Sequence, residues 1–453
     1  MSSKAESRRK SIEMTSGSLW KNIFLFSIPL MCSQILEVLF NLSDVAIAGK
    51  YAGYIALGSV GSTTLLVSLF TGFLIGMGGG VNVRVAHKLG VGDAKGTEET
   101  VHTAALICLV TGFILCFICN VFAEPFLNIL HTKQEFMDGA VLYLRIYALG
   151  MPALAIYNFG NGVLSAIGET KLPLIYLSIA GVLNVLLNLF FVIGCNLAAA
   201  GVAIASVIAQ YVSATLVVAH LCRRKDSCRL YFSKLHFHKD AARGVLMLGV
   251  PGGVQNAIFA IANLFVQTGV NSFDAVMVSG NSAAMNADTL IYNVMGAFYT
   301  ACASFMGQNM GAGNRERTIK SYRISLLYSF LAGAVFGGLL LIFGRQFLSL
   351  FASKPEVIDA GMERVKIMGF TYAISAFMDC TIAASRGIGK GVVPTVIVIM
   401  GSCVFRIIWV YTIFAYVGTI ASLYLLYAFS WVITAIAEIV YFKVCFRKLR
   451  LTA

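Results

Sequence analysis

Residues 29–49 read PLMCSQILEVLFNLSDVAIAG, and residues 251–269 read PGGVQNAIFAIANLFVQTG. Laid over one another, they put Pro29 on Pro251, Gln34 on Asn256 and Asn41 on Asn263, a shift of 222 residues. The register persists outward. Gly90-Val91-Gly92-Asp93 falls on Gly311-Ala312-Gly313-Asn314, Lys133, Glu135 and Asp138 on Lys354, Glu356 and Asp359, Ile167-Gly168 on Ile388-Gly389, and Pro173 on Pro394. A shift that stays at 221 or 222 from Pro29 to Pro173 marks two copies of one structural unit.

Each copy is a series of apolar runs. The 453 residues are 58% hydrophobic and 12% charged, with a mean hydropathy of +0.81. That is too apolar for a water-soluble chain of this size, so lipid is its expected solvent. Runs near the roughly 20 residues needed to cross a bilayer occur at 19–48, 53–83, 101–123, 146–168, 172–196 and 197–221, then at 245–273, 276–306, 324–344, 367–385, 392–416 and 418–444. The expected fold is all-α, with twelve transmembrane helices in two six-helix lobes. An even number of spans per copy gives both lobes the same orientation, related by a pseudo-two-fold along the membrane normal. The boundaries predicted are a tail at 1–18, an N-lobe at 19–222, a basic linker at 223–243, a C-lobe at 244–445 and a tail at 446–453.

The net charge of +13 invites a nucleic-acid reading, but its distribution points to a membrane. Of the 34 Lys and Arg, 26 fall in the tails and alternate loops on one side, seven on the other, and Arg406 lies within a span. This asymmetry places both termini in the cytoplasm. The seven on the other side include Arg364. The first apolar run is too long for a signal-peptide core and is expected to be retained. Cys116 and Cys119, though spaced as CxxC, read as small hydrophobes inside a helix. His236 and His238 read as solvated linker residues rather than metal ligands, so no metal or cofactor is expected. Nor is enzymatic activity, because no nucleophile–base pair or clustered histidine appears in the spans. Gly76-Met77-Gly78-Gly79-Gly80 resembles a phosphate loop only in composition and reads as a helix-packing surface.

An acid inside hydrocarbon costs about 2.5–3.5 kcal/mol on insertion scales, so such residues usually face a cavity and carry function. Glu37, Asp44, Asp288 and Asp379 stand out. In the first span, Gln34, Glu37, Asn41 and Asp44 are spaced to share one helical face. In the fifth, Asn184 and Asn188 share a face at a depth similar to Asp44. A carboxylate with neighbouring amide oxygens suits Na⁺ or a proton. The second copy keeps the amides as Asn256 and Asn263, but Phe259 and Val266 replace the acids. Two roles stay open for Arg406, at the repeat position of Asn184: a static ion pair with Asp288, or a part in coupling.

These residues resemble the MATE family, the multidrug and toxic compound extrusion transporters, over essentially the whole chain. The resemblance rests on Pro29, Glu37, Phe40-Asn41, Asp44 and Gly49, on GQNMGAGN at 307–314, on Asn184 and Asn188, and on Ala166-Ile167-Gly168 with Pro173 and Arg386-Gly387-Ile388-Gly389 with Pro394. It implies two six-helix lobes in a V-shaped arrangement and export of organic cations in exchange for inward Na⁺ or H⁺. It also implies Asp44, Asn184 and Asn188 as coupling residues, and Asp288 and Asp379 as acids of the second lobe. Glu37 departs from the expected Gln, and Ser165 stands where the first copy often has Arg.

The combined expectation is an antiporter in a bacterial plasma membrane, working as a monomer by alternating access. Asp44 with Glu37, Asn41, Asn184 and Asn188 would bind the driving cation. Asp288, Asp379, Asn256, Asn263, Arg406 and Gln34 would line the substrate cavity. The alternative is a flippase for lipid-linked saccharides or a related lipid precursor, which would call for a strongly basic cavity.

Overall fold

A computed structural model of the chain describes residues 11–449. It contains thirteen principal helices and, among the described residues, no strand. Those of the first half are α1 Leu19–Tyr51, α2 Gly53–Val91, α3 Ala94–Ile129, α4 Gln134–Ala148, α5 Met151–Ala166, α6 Lys171–Gly194 and α7 Ala198–Arg223. The second half has α8 Lys239–Val270, α9 Ala275–Gly311, α10 Arg315–Leu348, α11 Pro355–Gly387, α12 Val392–Val417 and α13 Ile420–Lys448.

Ten of these are individually long and apolar enough to cross a bilayer. The pair α4 and α5, bent by 46° at Leu149–Gly150, passes as one further span. Its second helix opens with Pro152 in the first turn, where the missing N–H costs nothing. The sequence reading began this span at residue 146; the structure extends it back to Gln134, because Glu135, Asp138 and Arg145 hid the helix from a hydropathy criterion. The twelfth span is α9, which falls short in apolarity because it carries Asn281, Asn286 and Asp288. Asn281 and Asp288 are buried, so its polar face looks into protein. Twelve spans in two six-helix sets is the predicted class.

The repeat extends to backbone conformation. Gly92 (φ +76°) ends α2 and Asp93 caps α3, accepting from the Gly96 N–H at 2.8 Å; Gly313 (φ +74°) ends the repeat-related α9, and Asn314 caps α10 through the Arg317 N–H at 2.8 Å. A left-handed residue followed by a side-chain cap satisfies the end of one helix and the start of the next. That accounts for the GxG[DN] signature in both copies.

By packing, the chain forms two compact units: Cys32–Ala257, and Glu13–Met31 together with the chain from Ile258 onward. The linker 223–243 divides the chain by connectivity. The packing boundary instead falls inside α1 and α8, shortly after Pro29 and Pro251. Within the first unit, α2 meets the start of α8 along a glycine seam. A Cβ on Gly76 would lie 2.3 Å from the Gly253 nitrogen, and one on Gly80 2.3 Å from the Gly249 nitrogen. The glycine run is thus a helix-packing surface, as read. Large side chains left on the outside, such as Phe117, Ile342 and Phe370, are what a lipid-solvated helix surface requires.

Candidate functional site

In the first unit, α1, α6 and α7 converge on one carboxylate. Phe40 lies over Gly181 of α6 so closely that a Cβ there would meet its ring at 1.8 Å, which draws α1 against α6 one turn before Asp44. Asn188 Nδ2 then donates to Asp44 Oδ1 at 2.5 Å and to Asn184 Oδ1 at 3.1 Å. Ser206 Oγ donates to Asp44 Oδ2 at 3.1 Å, while Asn184 Nδ2 donates to Ser206 Oγ at 3.3 Å. Asn184, Asn188 and Ser206 are buried, whereas Asp44 is only half-buried. The Oδ1 of Asn188 is buried and accepts no hydrogen bond from the described residues. An unused amide oxygen beside a carboxylate is a hard-oxygen environment that suits an alkali cation. The turn that follows, Phe190–Gly194, is π-helical, a local widening often found beside functional sites.

The predicted first-span stripe joins this set only in part. Asp44 is central, but Glu37 and Asn41 are exposed and stand outside the hydrogen-bonded cluster, and Gln34 has a buried Oε1 without a partner among the described residues. Glu37 is two turns away along α1, yet Tyr147 of α4 lies within electrostatic reach of both Glu37 and Asp44. Asn256 is not with the second-lobe residues: it belongs to the first unit and donates to Gly72 O at 2.9 Å, tying α8 to α2. Ser206 was not anticipated.

The second unit holds a larger polar core. Arg364 donates to Asp288 Oδ2 through Nε at 3.0 Å and Nη2 at 2.5 Å, and through Nη1 to Asn281 Oδ1 at 3.0 Å. Tyr372 hydroxyl donates to the other Asp288 oxygen, and Tyr424 hydroxyl to Asn281 Oδ1 at 3.1 Å. This corrects two expectations. The partner of Asp288 is Arg364 rather than Arg406, and Arg364 is a buried residue of α11 rather than an outer-loop charge. The cause is the length of α11, which starts at Pro355, so that Arg364, Met368 and Tyr372 lie one above another on its inward face. Charges near the start of the helix kept the apolar run from showing where it began.

Arg406 lies between two π-helical segments of α12, Ile399–Val404 and Val410–Phe414. It donates to Ser430 Oγ at 3.3 Å and Asn263 Oδ1 at 3.4 Å, and its guanidinium sits 4.6 Å from the Tyr427 ring centre. Asn184 and Arg406, equivalent in the repeat, thus each contact a serine on the following helix. Asp379 is half-buried on α11, within electrostatic reach of Arg406 and Arg386. Glu438 on α13, which sequence reasoning passed over, is completely buried. Its signal was plain: an acid inside the apolar run 418–444. Among the described residues no His, Cys, Asp or Glu cluster could hold a metal ion.

The family model named MatE matches twice, over residues 29–190 and 251–412. This chain belongs to the MATE family. The two matches follow the internal repeat, and together they cover well over half of the sequence. Among curated relatives of this MATE protein, the probable multidrug resistance protein YpnP of Bacillus subtilis is 28% identical over 366 residues, covering 80% of this chain and 81% of its own. The probable multidrug resistance protein NorM of Thermotoga maritima is 23% identical, covering 83% of this chain and 82% of its own. An FAD transporter of Shewanella oneidensis is 22% identical, covering 76% and 77%. Among solved structures, a MOP superfamily transporter from Pyrococcus furiosus superposes with a TM-score of 0.91 at 19% identity, covering 98% of this chain and 99% of its own. A multidrug resistance MATE transporter in an outward-facing conformation gives a TM-score of 0.90 at 19% identity, with the same coverage. These likenesses fix the fold, and the protein is a multi-pass membrane transporter.

Proposed function

We propose that this MATE protein exports organic cations from the cytoplasm in exchange for inward Na⁺ or H⁺. The observation that carries the reading is the Asp44 cluster, in which a half-buried carboxylate is held by Asn188 and Ser206 beside the free oxygen of Asn188. The multidrug resistance names of its relatives supply the substrate class. Occupation of Asp44 by the driving cation and occupation of the cavity by substrate favour opposite facings, because a ligand with equal affinity for both would shift nothing. Pro29 and Pro251, each inside a helix at which the packing units divide, supply bending points. The basic loops face the cytoplasm on the positive-inside rule.

The second-lobe acids take separate parts. Asp288 is engaged by Arg364 and Tyr372 and serves to hold α9 against α11. Asp379, half open and without such a partner among the described residues, is the better candidate to meet a cationic substrate. The test is export of a fluorescent organic cation from proteoliposomes under an inward Na⁺ gradient and, separately, a pH gradient. Movement under one gradient identifies the coupling ion. Movement under neither contradicts the reading and turns attention to lipid-linked cargo.

A further inference from the structure

Glu438 is the most enclosed acid in the second unit. Its side chain has no accessible surface, and neither carboxylate oxygen has a hydrogen-bond partner among the described residues. The groups acting on it electrostatically are Arg386 and Asp379, both on α11, against which α13 packs. Other ionisable groups on neighbouring helices are committed or lie farther along. Arg406 of α12 is bound to Ser430, two turns before Glu438 on α13, and Tyr322 of α10 is bound to Thr381. Cys380 of α11 and Cys403 of α12 are buried thiols, and Tyr441 lies on α13 itself.

Arg386, the guanidinium that acts on Glu438, also acts on Asp379, which has Arg406 in reach as well, so Glu438 has no counter-charge to itself in a membrane interior. A buried carboxylate without donors must gain a counter-charge or become neutral. The proton is the one cation that needs no coordination shell. Ser325 of α10 and Ser385 of α11 are also buried with side-chain oxygens that have no hydrogen-bond partner among the described residues. They sit one turn from Tyr322 and Thr381, whose contact adjoins Phe442, one turn beyond Glu438.

We propose that Glu438 is a proton-binding site of the second unit, with Arg386 as a counter-ion shared between it and Asp379. Uptake joins one proton from water to the Glu438 carboxylate, giving the neutral acid and removing one negative charge from the cluster. Arg386 is then released to Asp379. The site is separate from Asp44 and does not depend on the export reading.

The test is pH-difference infrared spectroscopy of the full-length protein in lipid bilayers, read at the carbonyl stretch of protonated carboxylic acids. Wild type and Asp44→Asn are expected to share a band that Glu438→Gln loses. Arg386→Gln is expected to keep that band and alter the pH at which it titrates. Glu438→Gln preserves shape and removes the ionisable group, and a monodisperse elution profile checks its fold. If that variant does not fold, the Arg386→Gln titration decides alone. A wild-type band intact in Glu438→Gln, or a titration indifferent to Arg386→Gln, would overturn the proposal. Failure of cation-driven export with the Glu438 band present would sink the export reading and leave this site standing.

Discussion

The amide nitrogen of Asn188 donates to Asp44 Oδ1 at 2.5 Å, while the amide oxygen of the same residue is buried and accepts nothing from the described residues. One side chain therefore both orients the carboxylate and presents an oxygen beside it. Hydrogen bonds to charged groups contribute about 1.5–3 kcal/mol, so Asn188→Ala should raise the driving-cation concentration for half-maximal export by roughly tenfold or more. Ser206→Ala removes a single donor and should cost less. Export rates measured across a series of cation concentrations would show both effects; unchanged half-saturation in Asn188→Ala would remove Asn188 from the site.

The pairing of Arg364 with Asp288 predicts a stability signature rather than a transport one. Removing one member of a buried pair leaves an uncompensated charge and costs about 3–5 kcal/mol. Arg364→Gln or Asp288→Asn alone should lower the melting temperature markedly. The double variant should recover much of the loss, because neither charge is then orphaned. Thermal unfolding in detergent of all three variants tests this, and additive losses would refute the pairing as a structural clamp.

The two acids found in one span and the asparagines in another were legible because hydrocarbon makes polar residues conspicuous and helical spacing assigns them a face. Ser206 had no comparable signal, since serines can satisfy themselves on their own helix backbone. Arg364 was hidden for a different reason: it sits among Glu356, Asp359, Glu363 and Lys366, where an apolar run ends long before α11 does. Asn256 was misplaced because a sequence repeat records ancestry of position. It does not reveal that the first half of α8 packs with the first unit. Glu438 was visible as an acid in an apolar run, but only its complete burial distinguishes it from a helix-end charge.

The glycine seam between α2 and α8 makes a positional prediction. Gly76→Val and Gly80→Val place side-chain atoms where backbone already lies and should destabilise by about 1–3 kcal/mol each, the usual cost of overpacking. Gly79 faces open space, so Gly79→Ala should be tolerated. Expression yield and melting temperature distinguish the positions, and equal tolerance at all three would contradict the seam.

Acid should loosen the connection between α5, α6 and α7. Glu169, in the turn before α6, accepts from Arg224 Nη1 at 2.8 Å and lies 3.5 Å from His220 Nε2. Burial alone would push this carboxyl up, but the His220 and Arg224 interactions outweigh it and hold it below the ordinary value. A group whose value is depressed on folding stabilises above its unfolded value, near pH 4.3 for Glu, and loses that contribution as pH falls through the lower folded value. Glu169→Gln should therefore be less stable than wild type by about 1–3 kcal/mol near neutrality. The two melting curves should converge in strong acid. A difference independent of pH would contradict the ionised pair.

The central claim is that Asp44 binds the driving cation, and the most direct test is Asp44→Asn in proteoliposomes under the gradient that drives the wild type. The substitution keeps size and removes charge, so the protein should insert and elute normally while gradient-driven export of the organic cation falls to the level of protein-free vesicles. Export preserved at the wild-type rate would contradict the account.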